Sequence, residues 1–150
     1  MDVTIPKEFG YVVLVALTST FVNQWHGIVV GGARRRANIP YPNAYAPNAE
    51  APHGSPQYIF NCAQRAHSNY LENLPQFYVG LFVSGLQYPK LAAGLGSLWI
   101  FGRILYTIGY TNPAKERGRG RFLGGPFWYP GLLGLWGTAG YVCYKMITGA

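Results

Sequence analysis

The sequence predicts an all-α integral membrane protein, built as one four-helix bundle that takes up residues 1–150. Charged residues make up only 11% of the chain, less than half of the roughly 25% that is usual in globular proteins. The charges lie mostly between long apolar runs, and aromatic residues reach 16%, which is typical of a protein with two membrane–water interfaces. These observations favour a membrane bundle over a soluble domain.

Four apolar runs supply the predicted membrane spans, because about 20 helical residues cross the hydrocarbon core of a bilayer. The first run ends at the triple arginine Arg34–Arg36, and a proline-rich loop follows it. A tight turn at residues 87–90 makes the second and third helices antiparallel neighbours. The predicted spans are residues 9–33, 57–86, 91–110 and 122–144.

Four glycines lie in the third span, and three of them, Gly94, Gly96 and Gly102, are candidates for helix–helix contacts. Small residues let membrane helices approach one another closely. All three are therefore expected to lie at helix–helix contacts.

The net charge of +7 comes from twelve basic and five acidic residues. The basic residues bunch beside apolar runs, whereas a nucleic-acid-binding protein spreads them over a soluble face, so nucleic acid is not a predicted partner. The two long loops hold seven basic residues, and the opposite side of the bundle holds Lys7, Lys90 and Lys145. The excess of basic residues, seven against three, predicts that the long loops face the cytosol. The seven are Arg34, Arg35, Arg36, Lys115, Arg117, Arg119 and Arg121.

The two cysteines, Cys62 and Cys143, both lie in apolar segments and match no metal-ligand spacing. We expect free thiols and no metal site.

A polar stripe interrupts the second helix. Arg65, Asn69 and Glu72 follow one another at positions i, i+4 and i+7, so they share one helix face. The third helix carries a similar stripe of Arg103, with Tyr106 and Tyr110 at i+3 and i+7. Because the two helices are antiparallel neighbours, both stripes are expected at the same depth and can meet.

The predicted meeting point is cationic, since it joins the stripes, His67 and the two basic loops around a single carboxylate, Glu72. A small anionic ligand with one positive group would fit, because arginine pairs with carboxylates in bidentate fashion. A second interpretation is that Arg65, Asn69 and Glu72 only satisfy one another inside the bundle. The spacing leaves both interpretations open.

Two motifs resemble those of a known membrane family. The stretch from Phe60 to Pro75, FNCAQRAHSNYLENLP, is similar to the second-helix signature of the membrane-associated eicosanoid and glutathione metabolism (MAPEG) family. The stretch Gly102–Tyr110, GRILYTIGY, resembles that family's third helix. With Lys7–Tyr11 and Ala33–Arg35 included, the likeness covers nearly the whole chain.

The resemblance implies a homotrimer of four-helix subunits, with glutathione as co-substrate bound between neighbouring subunits. It implies an enzyme that conjugates glutathione to lipophilic electrophiles from the bilayer or reduces lipid hydroperoxides, with leukotriene C4 synthesis as a narrower activity. It also implies the endoplasmic reticulum membrane, or alternatively the outer mitochondrial membrane. The family includes a lipid-presenting member without glutathione chemistry, so a non-catalytic lipid-binding or structural subunit is the alternative.

The resemblance also assigns roles to individual residues. Glu72 is expected to pair with the α-amino group of glutathione and Arg65 with a carboxylate. Arg117, seven residues after Tyr110, matches the arginine that stabilises the thiolate, and Arg119 is a rival for that role. The complete set of expected glutathione contacts is Arg34, Arg65, His67, Asn69, Glu72, Arg103, Tyr106 and Tyr110.

Asn73 stands where the leukotriene-synthesising member of the family has a tyrosine, which argues against that narrower activity.

Overall fold

The computed structural model describes residues 5–149, and all regular structure in that part of the chain is helical. Four long helices, α1 to α4, are joined by two long loops and one tight turn. The all-α, four-helix prediction is confirmed. The helices are Phe9–Ala37 (α1), Pro56–Gly85 (α2), Pro89–Tyr110 (α3) and Gly125–Thr148 (α4).

Local sequence signals explain where the helices begin and end. Ser55 caps α2, because its hydroxyl accepts a 3.1 Å hydrogen bond from the Tyr58 backbone N–H. Pro56 and Pro89 occupy the first positions of α2 and α3, where a backbone N–H would have no partner within the helix. The helix α1 ends at Asn38, which adopts the left-handed conformation and follows three arginines that favour a helix C-terminus.

The bundle core lies between all four helices. The ring of Phe77 on α2 stacks on that of Trp99 on α3, with 4.0 Å between ring centres. Val12 from α1 and Leu135 from α4 complete this cluster, and both are fully buried. The helix α1 packs on α2 and α3, while α4 packs on α3 and α2.

Two of the predicted glycine contacts exist and one does not. A Cβ at Gly102 would lie 2.4 Å from the backbone nitrogen of Trp128, and one at Gly96 would lie 2.8 Å from Val15. A Cβ at Gly94 would meet nothing within 4 Å, so the prediction for Gly94 is wrong. Gly94 is exposed and lines an open groove with Tyr11 and Leu14 of α1.

The outer surface of the bundle is apolar. Leu14, Leu17 and Phe21 on α1 are more than half exposed, as are Leu133 and Ile147 on α4. Two helices, α1 and α3, are long and apolar enough to cross a membrane. That all four predicted spans cross a bilayer stays a prediction.

Candidate functional site

The polar stripe of α2 forms an ion-paired group along one helix face. Arg65 Nη1 donates a 2.7 Å hydrogen bond to Glu72 Oε1. Asn69 Nδ2 lies 3.5 Å from Glu72 Oε2, a contact too long to fix the amide by itself. The side chains of Arg65 and Glu72 are 47% and 52% exposed, so a ligand can reach both.

Arg103 joins this group to α3. Its Nη2 donates a 2.8 Å hydrogen bond to Asn69 Oδ1, so the two polar stripes meet across the helix pair. The residue is only 1% exposed. Within residues 5–149, no carboxylate lies within 4 Å of its guanidinium, and Nε and Nη1 have no hydrogen-bond partner. A cation buried in this way is costly unless something else stabilises it.

Four aromatic rings surround the Arg103 guanidinium and supply part of that stabilisation. Its central carbon lies 4.8 Å from the ring centre of Tyr106 and 5.4 Å from that of Trp128. Trp99 and Tyr70 lie at 5.7 and 5.9 Å. The Tyr106 ring in turn meets Tyr110 edge-on at 5.5 Å, so the α3 stripe is a contiguous polar and aromatic surface.

The loop Glu116–Gly124 runs over the end of this surface. Arg117 and Gly118 both adopt the left-handed conformation, with φ of 50° and 65°. A Cβ at Gly118 would lie 2.6 Å from the Tyr110 ring, so only glycine lets the loop lie this close to Tyr110. Arg121 holds the bend, because its Nη1 donates to the Gly118 carbonyl at 3.1 Å.

Two clefts open along the groove between α2 and α3. The first, here called the Asn69 cleft, has a volume of about 260 Å³ and is lined by Asn69, Asn73, Tyr106, Arg121 and Trp128 among others. The second, the Arg117 cleft, has a volume of about 390 Å³ and is lined by Tyr45, Cys62, Arg65, Tyr110 and Arg117 among others. The two clefts lie one helical turn apart, since Arg65 precedes Asn69 by four residues and Tyr106 precedes Tyr110 by four.

The loop between α1 and α2 forms one wall of the Arg117 cleft. Asn61 on α2 holds this loop through both atoms of its amide, at 2.8 Å to the Ala46 N–H and 2.9 Å to the Ala46 carbonyl. Tyr45 is thereby placed in the cleft wall.

Arg34 lies away from this cluster, although the sequence placed it at the same meeting point. Its Nη1 donates to the Asn43 carbonyl at 2.7 Å, and its guanidinium packs on the rings of Tyr41 and Phe60. Within this chain Arg34 therefore anchors the proline-rich loop to the end of α1.

His67 also lies away from the cluster formed by Arg65, Asn69, Glu72 and Arg103. Its Nε2 lies 3.1 Å from Asn23 Oδ1, and its ring stacks on His26 with 5.7 Å between ring centres. Position 67 lies about 200° around the helix from position 65, because each residue turns an α-helix by about 100°. His67 thus faces α1, on the opposite side of α2 from Arg65.

A family model describes most of the chain. The MAPEG family model matches residues 12–141, which include α2, α3, most of α1 and α4, and both clefts. The chain belongs to the MAPEG family. As a MAPEG protein with two helices of membrane-spanning length and apolarity, it is an integral membrane protein.

Two proteins are similar in sequence to this MAPEG chain. Human microsomal glutathione S-transferase 2 is 32% identical over 104 residues, which cover 69% of this chain and 64% of that protein. An uncharacterized protein of Synechocystis sp. is 41% identical over 66 residues, which cover 43% of this chain and 48% of that protein. The chain thus matches about half to two thirds of the length of these relatives.

The Asn69 and Arg117 clefts also contain residues that the sequence alone did not indicate as ligand contacts. Cys62 lies three residues before Arg65, so helical spacing could have placed it on the same face. Asn73, four residues after Asn69, donates to the Asn69 carbonyl at 2.7 Å and lines the Asn69 cleft. No helical spacing indicates that Arg121 lines a cleft, because the direction of its side chain depends on the bend at Arg117 and Gly118.

Proposed function

We propose that this MAPEG protein is a membrane glutathione transferase or peroxidase, which activates glutathione as a thiolate and uses it on lipophilic substrates from the bilayer. The observation that carries the proposal is the Arg103–Asn69 hydrogen bond, which unites the polar stripes of α2 and α3 beside two clefts. The human relative named microsomal glutathione S-transferase 2 supports the same chemistry.

The charges at the two clefts suit glutathione. Arg65, Arg117 and Arg121 line the two clefts, while Arg103 and Glu72 lie beside them, so these five side chains carry a net charge of +3. Glutathione brings two carboxylates and one ammonium group, and its thiolate adds a third negative charge. Glu72 would bind the ammonium group and Arg65 a carboxylate, while Asn69 would donate its amide N–H. Arg103 would contribute mainly by orienting Asn69.

The nucleophile in this proposal belongs to the ligand. A thiol with a pKa near 8.5 is mostly protonated at neutral pH, and only the thiolate attacks an electrophile or a peroxide. A neighbouring guanidinium favours the charged form. Arg117 is the proposed source of that charge, since it shares its cleft with Arg65 and Tyr110. Arg119 lies outside both clefts. Tyr110 and Tyr106 are the proposed hydrogen-bond donors to the sulfur.

Arg34 and His67 fit this proposal only through a neighbouring subunit, since neither contacts the Arg65–Arg103 cluster of its own chain. We therefore also propose the homotrimer, with glutathione bound between subunits. Native mass spectrometry in mild detergent tests the assembly: the mass of three chains is expected, and a monomer at all concentrations would contradict it.

The remaining expectations are part of the same proposal. The protein is proposed to be one four-span domain in the endoplasmic reticulum or outer mitochondrial membrane, with its basic loops in the cytosol. Within the family, we propose a protein of the microsomal glutathione S-transferase 3 type. Protease added to intact microsomes tests the orientation, because it should cut the Lys115–Arg121 loop and spare the N-terminus.

Turnover tests the proposed function. Purified protein in detergent should consume glutathione together with a lipid hydroperoxide or a conjugatable electrophile. Glu72→Gln should reduce this turnover, while Glu8→Gln, which lies beside Lys90 at the opposite end of the bundle from both clefts, should not. Absence of both turnover and glutathione binding would overturn the proposal.

A non-catalytic lipid-binding or structural subunit is the second candidate. The observation in its favour is that Arg65, Asn69, Glu72 and Arg103 already satisfy much of one another's hydrogen bonding. In that case Glu72→Gln would lower the melting temperature of the bundle, and glutathione would not raise that of the unsubstituted protein.

A further inference from the structure

A third cleft lies on the other side of the basic loop from the two clefts already described. It has a volume of about 340 Å³, and two cations, Lys115 and Arg119, lie on its wall. Ile108, Asn112 and Leu123 line it as well. We call it the Lys115–Arg119 cleft.

Backbone contact between two glycines forms the floor of this cleft. A Cβ at Gly109 would lie 2.0 Å from the Gly120 carbonyl oxygen, so the loop backbone rests directly on the last turn of α3. This contact fixes Arg119, the neighbour of Gly120, beside α3. The turn at Asn112 places Lys115 nearby, since the Lys115 N–H donates to the Asn112 carbonyl at 3.1 Å. These contacts fix the backbone positions from which the two exposed cationic side chains project.

The walls of the cleft have two chemical characters. Ile108 and Leu123 are 51% and 53% exposed, and they form an apolar surface at the end of α3. Lys115 and Arg119 are exposed, and neither has an ion-pair partner in the part of the chain that the structure covers. In an integral membrane protein, the end of a spanning helix is where acyl chains give way to headgroups.

We propose that the Lys115–Arg119 cleft binds an anionic phospholipid. The phosphate of the lipid pairs with Lys115 and Arg119, and the first carbons of an acyl chain lie on Ile108 and Leu123. Basic residues at a membrane surface attract anionic lipids, and guanidinium groups bind phosphate through paired hydrogen bonds. The apolar wall distinguishes a phospholipid from free phosphate, which would gain nothing from Ile108 and Leu123.

This assignment gives Arg119 a role that differs from that of Arg117. The two arginines are only two residues apart, but the left-handed bend at Arg117 and Gly118 sends them to different clefts. Arg117 lies in the cleft of the proposed glutathione site, and Arg119 faces the lipid. Failure of lipid binding would leave the proposed glutathione chemistry untouched, because the two clefts share no lining residue.

Native mass spectrometry of the purified protein in non-ionic detergent tests the proposal. The probes are phosphatidylglycerol and phosphatidylcholine with identical acyl chains, added singly, so that no charged bilayer surface contributes. The protein should retain phosphatidylglycerol more strongly than phosphatidylcholine. Lys115→Gln with Arg119→Gln should weaken phosphatidylglycerol binding about 25-fold, since each exposed ion pair contributes about 5-fold at the upper end of its usual range.

Arg35→Gln with Arg36→Gln is the matched control, because it removes two exposed cations from the same end of the bundle. At physiological salt, where screening acts over about 8 Å, this control should change the affinity less than about 3-fold. Leu123→Ser should also weaken binding, whereas Leu133→Ser, equally exposed on α4, should not. This second pair keeps the test available if the charge variant does not fold.

Three results would overturn the proposal. Equal losses in the two double variants would show diffuse charge attraction without a site. Equal retention of phosphatidylcholine would show that charge is not recognised. Displacement of phosphatidylglycerol by millimolar inorganic phosphate would show a site for free phosphate in place of a lipid.

Discussion

At the scale of single residues, the orientation of Asn69 depends on one partly buried hydrogen bond. Its Oδ1 accepts from Arg103, so its Nδ2 is left to donate toward Glu72 or toward a ligand in the Asn69 cleft. Without Arg103 the amide could turn around and present an acceptor to an anionic ligand. The buried arginine therefore sets which face of Asn69 a ligand meets.

Replacing Arg103 tests this orientation. Arg103→Gln should weaken glutathione binding about ten-fold or more, because Asn69 would no longer donate to a charged group of the ligand. Such a hydrogen bond contributes about 1.5–3 kcal/mol. Isothermal titration calorimetry in detergent measures the affinity. Arg36→Gln, which removes an exposed arginine, is the control and should have no effect. Unchanged affinity in a folded Arg103→Gln protein would show that Asn69 does not need the buried cation.

Cys62 provides a chemical probe of the Arg117 cleft. Its side chain, which is only 5% exposed, lines that cleft together with Arg65 and Tyr110, whereas Cys143 is exposed on α4. We expect glutathione analogues without a thiol to slow alkylation of Cys62 several-fold and to leave Cys143 unaffected. Peptide mass spectrometry after timed alkylation measures both sites in one sample. Equal rates with and without the analogue would place the ligand outside this cleft.

The left-handed conformation of Arg117 is unfavourable for a residue with a side chain, by about 1–3 kcal/mol. Glycine relieves this strain, although it also makes the unfolded chain more flexible. Arg117→Gly should therefore be more stable than Arg119→Gly by about 1 kcal/mol, because both changes add the same flexibility and only the first removes strain. Thermal unfolding of the two variants in the same detergent makes the comparison. A less stable Arg117→Gly protein would contradict it.

The observed positions of single residues show which parts of the candidate site could be predicted from the sequence. Helical spacing placed Arg65, Asn69 and Glu72 together, and the same arithmetic applied to His67 would have placed it on the α1 side. The partners of Arg34 could not be predicted, because they depend on the path of a proline-rich loop.

At the scale of the helices, close packing of α3 against α4 is set by Gly102. A Cβ there would lie 2.4 Å from the Trp128 backbone nitrogen, and backbone cannot move aside as a side chain can. The same substitution at Gly94 meets open space. The two glycines are eight residues apart on one helix, which makes them a matched pair.

We expect Gly102→Ala to destabilise the bundle by about 1–3 kcal/mol, the usual effect of overpacking. Gly94→Ala should be neutral or stabilising by up to about 1 kcal/mol, since alanine favours a helix more than glycine does. Melting temperatures in detergent measure both. Equal effects of the two substitutions would show that α3 and α4 are not packed as described.

Helix positions were more predictable from the sequence than the loop that follows α3. Long apolar runs and prolines indicate the helices, as the first residues of α2 and α3 illustrate. The loop from Glu116 to Gly124 alternates arginine and glycine, so no periodicity shows where each arginine points. Its shape follows from the left-handed bend at Arg117 and Gly118 and from the Gly109–Gly120 contact, which only the folded backbone reveals.

At the scale of the whole molecule, the antiparallel arrangement of α2 and α3 creates the candidate site. The tight turn after α2 brings Arg103 to the depth of Asn69, although they are 34 residues apart in sequence. The basic loop then covers the groove, and its arginines are distributed over three clefts. Arginines that the sequence placed at one point thus line separate clefts, which we propose bind glutathione and a lipid.

The thiolate of bound glutathione tests the central proposal most directly. Ultraviolet difference absorbance reports the thiolate, and equilibrium dialysis of labelled glutathione reports binding in the same samples. We expect Arg117→Ala to abolish the thiolate absorbance while largely sparing binding, and Arg119→Ala to leave both unchanged. Loss of the absorbance in Arg119→Ala with its retention in Arg117→Ala would contradict the account.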